Sequence, residues 1–303
     1  MKDSLKKLIE NTILFEYKLP HIGFNIDRTC VTHIDLGDDC YKVADTESLN
    51  RIIYESILYY SYDDFQLTGG DHQKMFIKAF NSKFKYNHSA SDLAKRKLGV
   101  YGEALLYAIL KCLYSNDILV SRGYFYDLQK KTEVTGYDCF HLIQKDDEIE
   151  LWFGETKFYE DCKAAIDSVF KNIEKAISDD YLVNTNFTTI LQGKGNIADR
   201  DSKLYKILDK WEKCIIDSLQ EEFNENGIKL VYPVLITFNL LHDNYDDTIK
   251  TAIKHINDNY SHLKFDNITI DYSIFFILIP VDNVKSTKET IIKWIDNKEP
   301  LTL

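Results

Sequence analysis

The chain has 303 residues, 45% of them hydrophobic, enough for one large domain or two smaller ones around a substantial core. Its 37 Lys and Arg against 48 Asp and Glu give a net charge of -11. That excludes a protein whose whole surface grips nucleic acid by neutralising phosphates, and leaves room only for a local basic lining such as "AKRK" at 94–97 or "QKK" at 129–131.

The longest apolar run, "YSIFFILIPV" at 272–281, is about half of the roughly 18 to 20 residues that a bilayer span needs. The first residues break their apolar positions with charges and lack a cleavable export signal, so a cytoplasmic location is expected. Six cysteines (Cys30, Cys40, Cys112, Cys139, Cys162, Cys214) form no CxxC pair and read as reduced, mostly buried thiols. The histidines show no HExxH, and the best-spaced pair, His255 and His262, straddles a predicted helix end, so no zinc site is expected.

In chain order, residues 1–88 read as an α+β N-terminal region. Strand-like runs ("CVTHIDL" at 30–36, "CYKVAD" at 40–45) precede helical ones ("TESLNRIIYESILYYSYDDF" from Thr46 and "HQKMFIKAFNSKF" from His72). Residues 89–303 read as a second unit. The stripe Leu98, Leu105, Leu106, Ile109, Leu110 and Leu113 predicts one long helix bent at Gly99, with Ser91 as N-cap and Asp92 in the first turn.

Three strands follow, at 118–128, 137–143 and 148–158, as a meander of hairpins in which "QKDDE" supplies the second turn. A helix over 162–178 places Ala165, Ile166, Val169, Phe170, Ile173 and Ile177 on one face. Strands at 228–238 and 268–281 are apolar on both faces, as parallel or central strands are. A helix near 246–260 lies between them, and "STKETIIKWI" starts a final helix with a capping box from Ser286 to Glu289. This order predicts a mixed central sheet flanked by helices.

The strand at 148–158 poses a problem. Alternation puts Ile149, Leu151, Phe153, Glu155 and Lys157 on one side, so an apolar face turns charged at its end. Charges at the edge of a core cost free energy unless each finds a partner. Pairing of 137–143 with this strand brings Asp138 opposite the Glu155 end, so three charges converge.

Spacing leaves two readings open. In one, Lys157 makes an ion pair with either carboxylate. In the other, Asp138 and Glu155 bind Mg²⁺ or Mn²⁺, a hard cation that takes a few carboxylates plus waters and a substrate phosphate, and the carbonyl of Thr156 adds an oxygen. Lys157, its pKa depressed by burial and neighbouring cations, then holds the attacking water or the phosphate. The second reading describes a phosphodiesterase site.

The triplet D/E-x-K begins at Glu16, Glu155, Asp161, Asp201 and Asp296, and only the Glu155 copy ends an apolar strand, follows a G-x-D one hairpin upstream and runs into an amphipathic helix. Glu103, near the apolar stripe of the preceding helix, is a further candidate, either completing the metal site or serving as a helix-surface glutamate. Tyr159 reads as a packing tyrosine, with a hydroxyl in reach of a phosphate as the alternative.

The helix carrying Glu103, then "GYD" at 136–138, then "WFGETKFY" at 152–159 and a further helix resemble the PD-(D/E)xK nuclease core, of restriction-endonuclease-like αβββαβ order, over about residues 91–240. More narrowly, "GETKFY" with the Ala-Ile pairs at 165–166 and 176–177 resembles the HamA family, nuclease subunits of the Hachiman anti-phage defence system. The resemblance implies a metal-dependent DNA endonuclease or nickase that is held inactive by a superfamily 2 helicase subunit (HamB-like) and released to degrade DNA. It implies catalytic roles for Asp138, Glu155 and Lys157, and for Glu103. Where the superfamily name has a proline before the Asp, this chain has Tyr137. The competing readings are a catalytically silent nuclease-fold regulatory subunit, and a standalone restriction endonuclease.

Overall fold

The computed structural model describes residues 1–19, 38–62, 64–84, 86–114, 120–121, 126–127, 132–133, 138–145, 148–176, 191, 193–197, 199–241, 244–260 and 269–302. The run at 30–36, the cluster at 129–131, Cys30, Ile177 and His262 lie outside these residues.

The elements run α1 (Asp3–Thr12), β1 (Ile13–Leu19), β2 (Asp38–Val43), α2 (Thr46–Ser61), α3 (Asp64–Leu67), α4 (His72–Ser82), α5 (Asp92–Arg96) and α6 (Val100–Cys112). There follow β3 (Val120–Ser121), β4 (Tyr126–Asp127), β5 (Thr132–Glu133), β6 (Cys139–Lys145), β7 (Glu148–Phe158) and α7 (Cys162–Ala176). The chain continues with α8 (Lys203–Lys213), α9 (Leu219–Asn226), β8 (Ile228–Asn239), α10 (Tyr245–Tyr260), β9 (Tyr272–Val281) and α11 (Val284–Asp296). Short polar side chains start the helices by taking free N–H groups of the first turn: Asp45 for α2, Asp71 for α4, Ser91 for α5, Ser202 for α8 and Ser218 for α9.

Among the described residues, seven strands form one mixed sheet in the order β1-β2-β9-β8-β7-β6-β3. The central four, β2, β9, β8 and β7, are parallel, while β1, β6 and β3 pair antiparallel with their neighbours. The N-terminal strands thus extend the same sheet that carries β7. β8 and β9 are buried along nearly their whole length because helices cover both faces. On one face, Leu151, Phe153, Tyr232 and Phe276 pack with α7, α8, α9 and α10. On the other, Trp152, Phe158, Leu235 and Ile277 pack with α1, α2, α4, α6 and α11. The split of β7 side chains between these cores follows the alternation read from its sequence. Among the described residues no helix is long and apolar enough to cross a membrane.

Three expectations are corrected. The predicted single helix from Ser91 is two helices, α5 and α6, separated by Lys97–Gly99. The α5 end is held by distant donors: the Tyr101 hydroxyl donates to the Lys95 carbonyl at 3.1 Å and the Lys288 ammonium to the Arg96 carbonyl at 3.1 Å. Of the predicted strand at 118–128 the described residues fall in two sheets rather than one meander, with β3 joined to β6 and β4 paired to β5 in a separate two-stranded ribbon.

The last helix starts earlier than its capping box suggests. Asn283 is the N-cap and accepts from the Ser286 N–H at 2.8 Å, so Ser286 lies inside the first turn and its hydroxyl donates back to the Asn283 carbonyl. Asn283→Ala is therefore expected to lower stability by about 1 kcal/mol, and Ser286→Ala by clearly less, as read from denaturant midpoints.

Candidate functional site

The site lies toward the carboxyl end of β7, beside the first residues of β6, which runs antiparallel to it. The β6–β7 register pairs Cys139 with Gly154, so Asp138 falls opposite Glu155. Its backbone N–H donates to the Gly154 carbonyl at 2.9 Å, and its side-chain Oδ2 accepts from the Thr156 N–H at 2.8 Å. In a strand the N–H and C=O of one residue point to the same edge, so the Thr156 carbonyl faces the Asp138 side too. Glu155 and Lys157 extend from the face that carries Phe153, and the Lys157 ammonium donates to Glu155 Oε1. Directly across on β8 stand Val234 and Ile236, which offer these charges no polar partner.

The electrostatics follow from this placement. Glu155 and Lys157 are only 14% and 15% exposed. Burial pushes the Glu155 carboxyl above its usual range and the Asp138 charge adds to the push, while Lys157 and Tyr232 offset part of it. For Lys157, burial pulls downward, but Glu155, Asp138 and Tyr159 outweigh it and hold the ammonium above the usual lysine range. The expected depression of the Lys157 pKa is thus reversed, because its neighbours are anions rather than cations. It serves as a fixed positive charge and hydrogen-bond donor.

The Asp138 charge raises the proton affinity of the partly buried Glu155 carboxylate, a repulsion that a hard divalent cation would relieve. Among the described residues no three His, Cys, Asp or Glu side chains gather as a metal-holding group. An ion would rest on Asp138 and Glu155, with the Thr156 carbonyl, water and phosphate completing its shell.

Glu103 sits in the first turn of α6, and that helix presses on β7: a Cβ on Gly102 would stand 2.8 Å from Thr156 Oγ1. Its carboxylate is held by the Tyr60 hydroxyl of α2, which donates to Oε2 at 2.6 Å. The structure therefore gathers Asp138, Glu155 and Lys157 and leaves Glu103 on the helix behind Thr156. Tyr159 is 41% exposed and close enough to Lys157 to influence its charge, rather than packed. In "AKRK", Lys95 is buried against Asp296 at 2.7 Å and Arg96 pairs with Glu289, so these two cations are committed to structure. His255 faces Asp167 at 2.7 Å.

Two supports of the site carry no motif. Gly154 is one: a Cβ there would lie 2.1 Å from the Pro233 carbonyl oxygen and 2.7 Å from its ring. Pro233 has no N–H to donate, and the β7–β8 ladder passes from Trp152↔Val231 to Glu155↔Val234 across this close approach. A glycine before the motif and a proline inside an otherwise apolar strand were visible signals, but their meeting depends on register.

The other is Lys288 of α11, whose ammonium donates to the Phe158 carbonyl at 2.7 Å, one residue past Lys157. Burial lowers its pKa to about 8. The folded chain then loses this proton before the unfolded chain does, so stability rises with pH between about 8 and the ordinary lysine value near 10.4. The wild type is expected to gain stability from pH 8 to 9.5 relative to Lys288→Met, by up to about 1.4 kcal/mol per pH unit, in denaturant titrations at each pH.

No curated protein and no solved structure matches the chain. The profile of the HamA family matches residues 9–295, which take in the whole sheet together with Asp138, Glu155 and Lys157. The chain belongs to the HamA family of the Hachiman anti-phage defence system.

Proposed function

We propose that the chain is a metal-dependent DNA endonuclease or nickase, with Asp138 and Glu155 as ligands of Mg²⁺ or Mn²⁺, Lys157 as the donor to phosphate or water, and residues 89–303 as the unit that carries the site. The observation that supports it most is the register of β6 and β7, which sets Asp138 beside Glu155 and Lys157. A bound divalent cation would supply charge compensation at the phosphate and a water of lowered pKa. Asp138 and Glu155 hold and orient it, and the Thr156 N–H keeps the Asp138 carboxylate turned toward the site. Lys157 exchanges its Glu155 contact for a phosphate oxygen or the attacking water. Tyr159 stands where a DNA strand would enter.

A net charge of -11 disfavours tight DNA binding by this chain alone. The HamA family belongs to a multi-component defence system, which supports the further proposal that a superfamily 2 helicase subunit delivers DNA and restrains the nuclease until aberrant DNA is met. The test is cleavage of supercoiled plasmid by the free chain with Mg²⁺ or Mn²⁺ and with EDTA, and again with the helicase subunit added. Metal-dependent nicking that the helicase suppresses is expected. A chain inert in every metal condition returns the three charges to a structural ion pair, and sequence-specific cutting without a partner points to a restriction enzyme.

A further inference from the structure

The Glu155 carboxylate is contacted from two sides. Lys157 takes Oε1, and from β8 the Tyr232 hydroxyl points at Oε2, 3.5 Å away. Tyr232 belongs to the same face of the sheet as Val234, the residue directly across from Glu155, and lies two residues before it, so the phenol runs up along the strand to the carboxylate. The ring cannot swing aside: it is 1% exposed and packed edge-on against Phe153 with centroids 5.4 Å apart. A buried tyrosine hydroxyl needs polar company, and in this apolar stretch of β8 it brings a donor to a carboxylate that Val234 and Ile236 cannot serve.

We infer that Tyr232 is a positioning residue of the metal site: its hydroxyl fixes the plane of the Glu155 carboxylate, so that an oxygen lone pair stays directed at the ion once Lys157 turns to the substrate. The inference rests on the metal-site reading above. At 3.5 Å the contact is long for an O–H···O bond. A contact of that length contributes little to the fold, so its effect would be read in metal binding rather than in stability. Outer partners of ligating carboxylates are worth about 10- to 100-fold in metal affinity, and the length of this one places it at the lower end.

The experiment is Mn²⁺ titration by electron paramagnetic resonance of the wild type, Tyr232→Phe and Glu155→Gln, with thermal unfolding without metal and cleavage rates at saturating Mn²⁺. The wild type is expected to bind Mn²⁺ and Glu155→Gln to lose binding. Tyr232→Phe is expected to bind about 10-fold more weakly, to unfold at nearly the wild-type temperature without metal, and to approach the wild-type cleavage rate once saturated. Mn²⁺ affinity equal to wild type in Tyr232→Phe, with or without a fall in unfolding temperature, overturns the positioning role while leaving the metal site standing. A wild type that binds no Mn²⁺ overturns the metal-site reading and the role of Tyr232 with it.

Discussion

Glu155→Ala and Lys157→Ala are each expected to reduce metal-dependent DNA cleavage by about 10³-fold or more, which corresponds to about 4 kcal/mol of transition-state stabilisation. On the proposed reading Glu155 is a ligand of the ion and Lys157 the donor to phosphate, and the two side chains are in direct contact. The two substitutions should differ in their side effects. Glu155→Ala leaves the Lys157 ammonium in a pocket where Val234 and Ile236 are its nearest neighbours on β8, and breaking a buried pair by removing one member costs up to about 3 to 5 kcal/mol. The residual exposure of both side chains places the actual cost below that. Glu155→Gln keeps an acceptor for Lys157, so it should lose activity with a smaller fall in unfolding temperature than Glu155→Ala. Plasmid nicking rates beside melting curves separate the two effects.

The second large effect is structural. Gly154→Ala is expected to destabilise the fold by about 3 kcal/mol or more, since overpacking against backbone cannot be relieved by rotating a side chain. The added methyl would meet the Pro233 carbonyl at 2.1 Å, and β7 and β8 would have to separate. The Gly154 carbonyl also accepts from the Asp138 N–H, so the displaced strand would carry Asp138 off its register and cleavage should fall with stability. Gly195→Ala, with open space around it, serves as the control and should be near neutral. A Gly154→Ala protein with the wild-type denaturation midpoint would show that the close approach of the two strands is relieved at little cost.

Much of this was legible in the chain. β7 spans Glu148–Phe158, the run read as a strand, because its alternation is clean and turn residues bound it. β8 and β9 announced themselves as central by being apolar on both faces. The juxtaposition of Asp138 and Glu155 followed from alternation and one hairpin: if Cys139 pairs with Gly154, Asp138 falls opposite Glu155.

What stayed hidden depends on partners far away in sequence. The break between α5 and α6 is sealed by Tyr101 and by Lys288, the latter from the last helix. Ser286 and Asn283 are both good caps, and their spacing could not reveal which one the helix chooses. The direction of the Lys157 shift depends on which charges surround it, and those are set by the fold. Tyr60, which holds Glu103, and Tyr232, which reaches Glu155, are two among 20 tyrosines, with nothing in their local sequence to mark them.

The most direct test of the central claim, that the β6–β7 register builds a two-carboxylate metal site, is plasmid cleavage by the wild type and by Asp138→Asn. Asparagine keeps the oxygen that accepts from the Thr156 N–H but removes the charge that a cation needs. Cleavage that requires Mg²⁺ or Mn²⁺ in the wild type and vanishes in Asp138→Asn, with the unfolding temperature unchanged, is the predicted result. Equal cleavage by both proteins, or cleavage that survives EDTA, would contradict it.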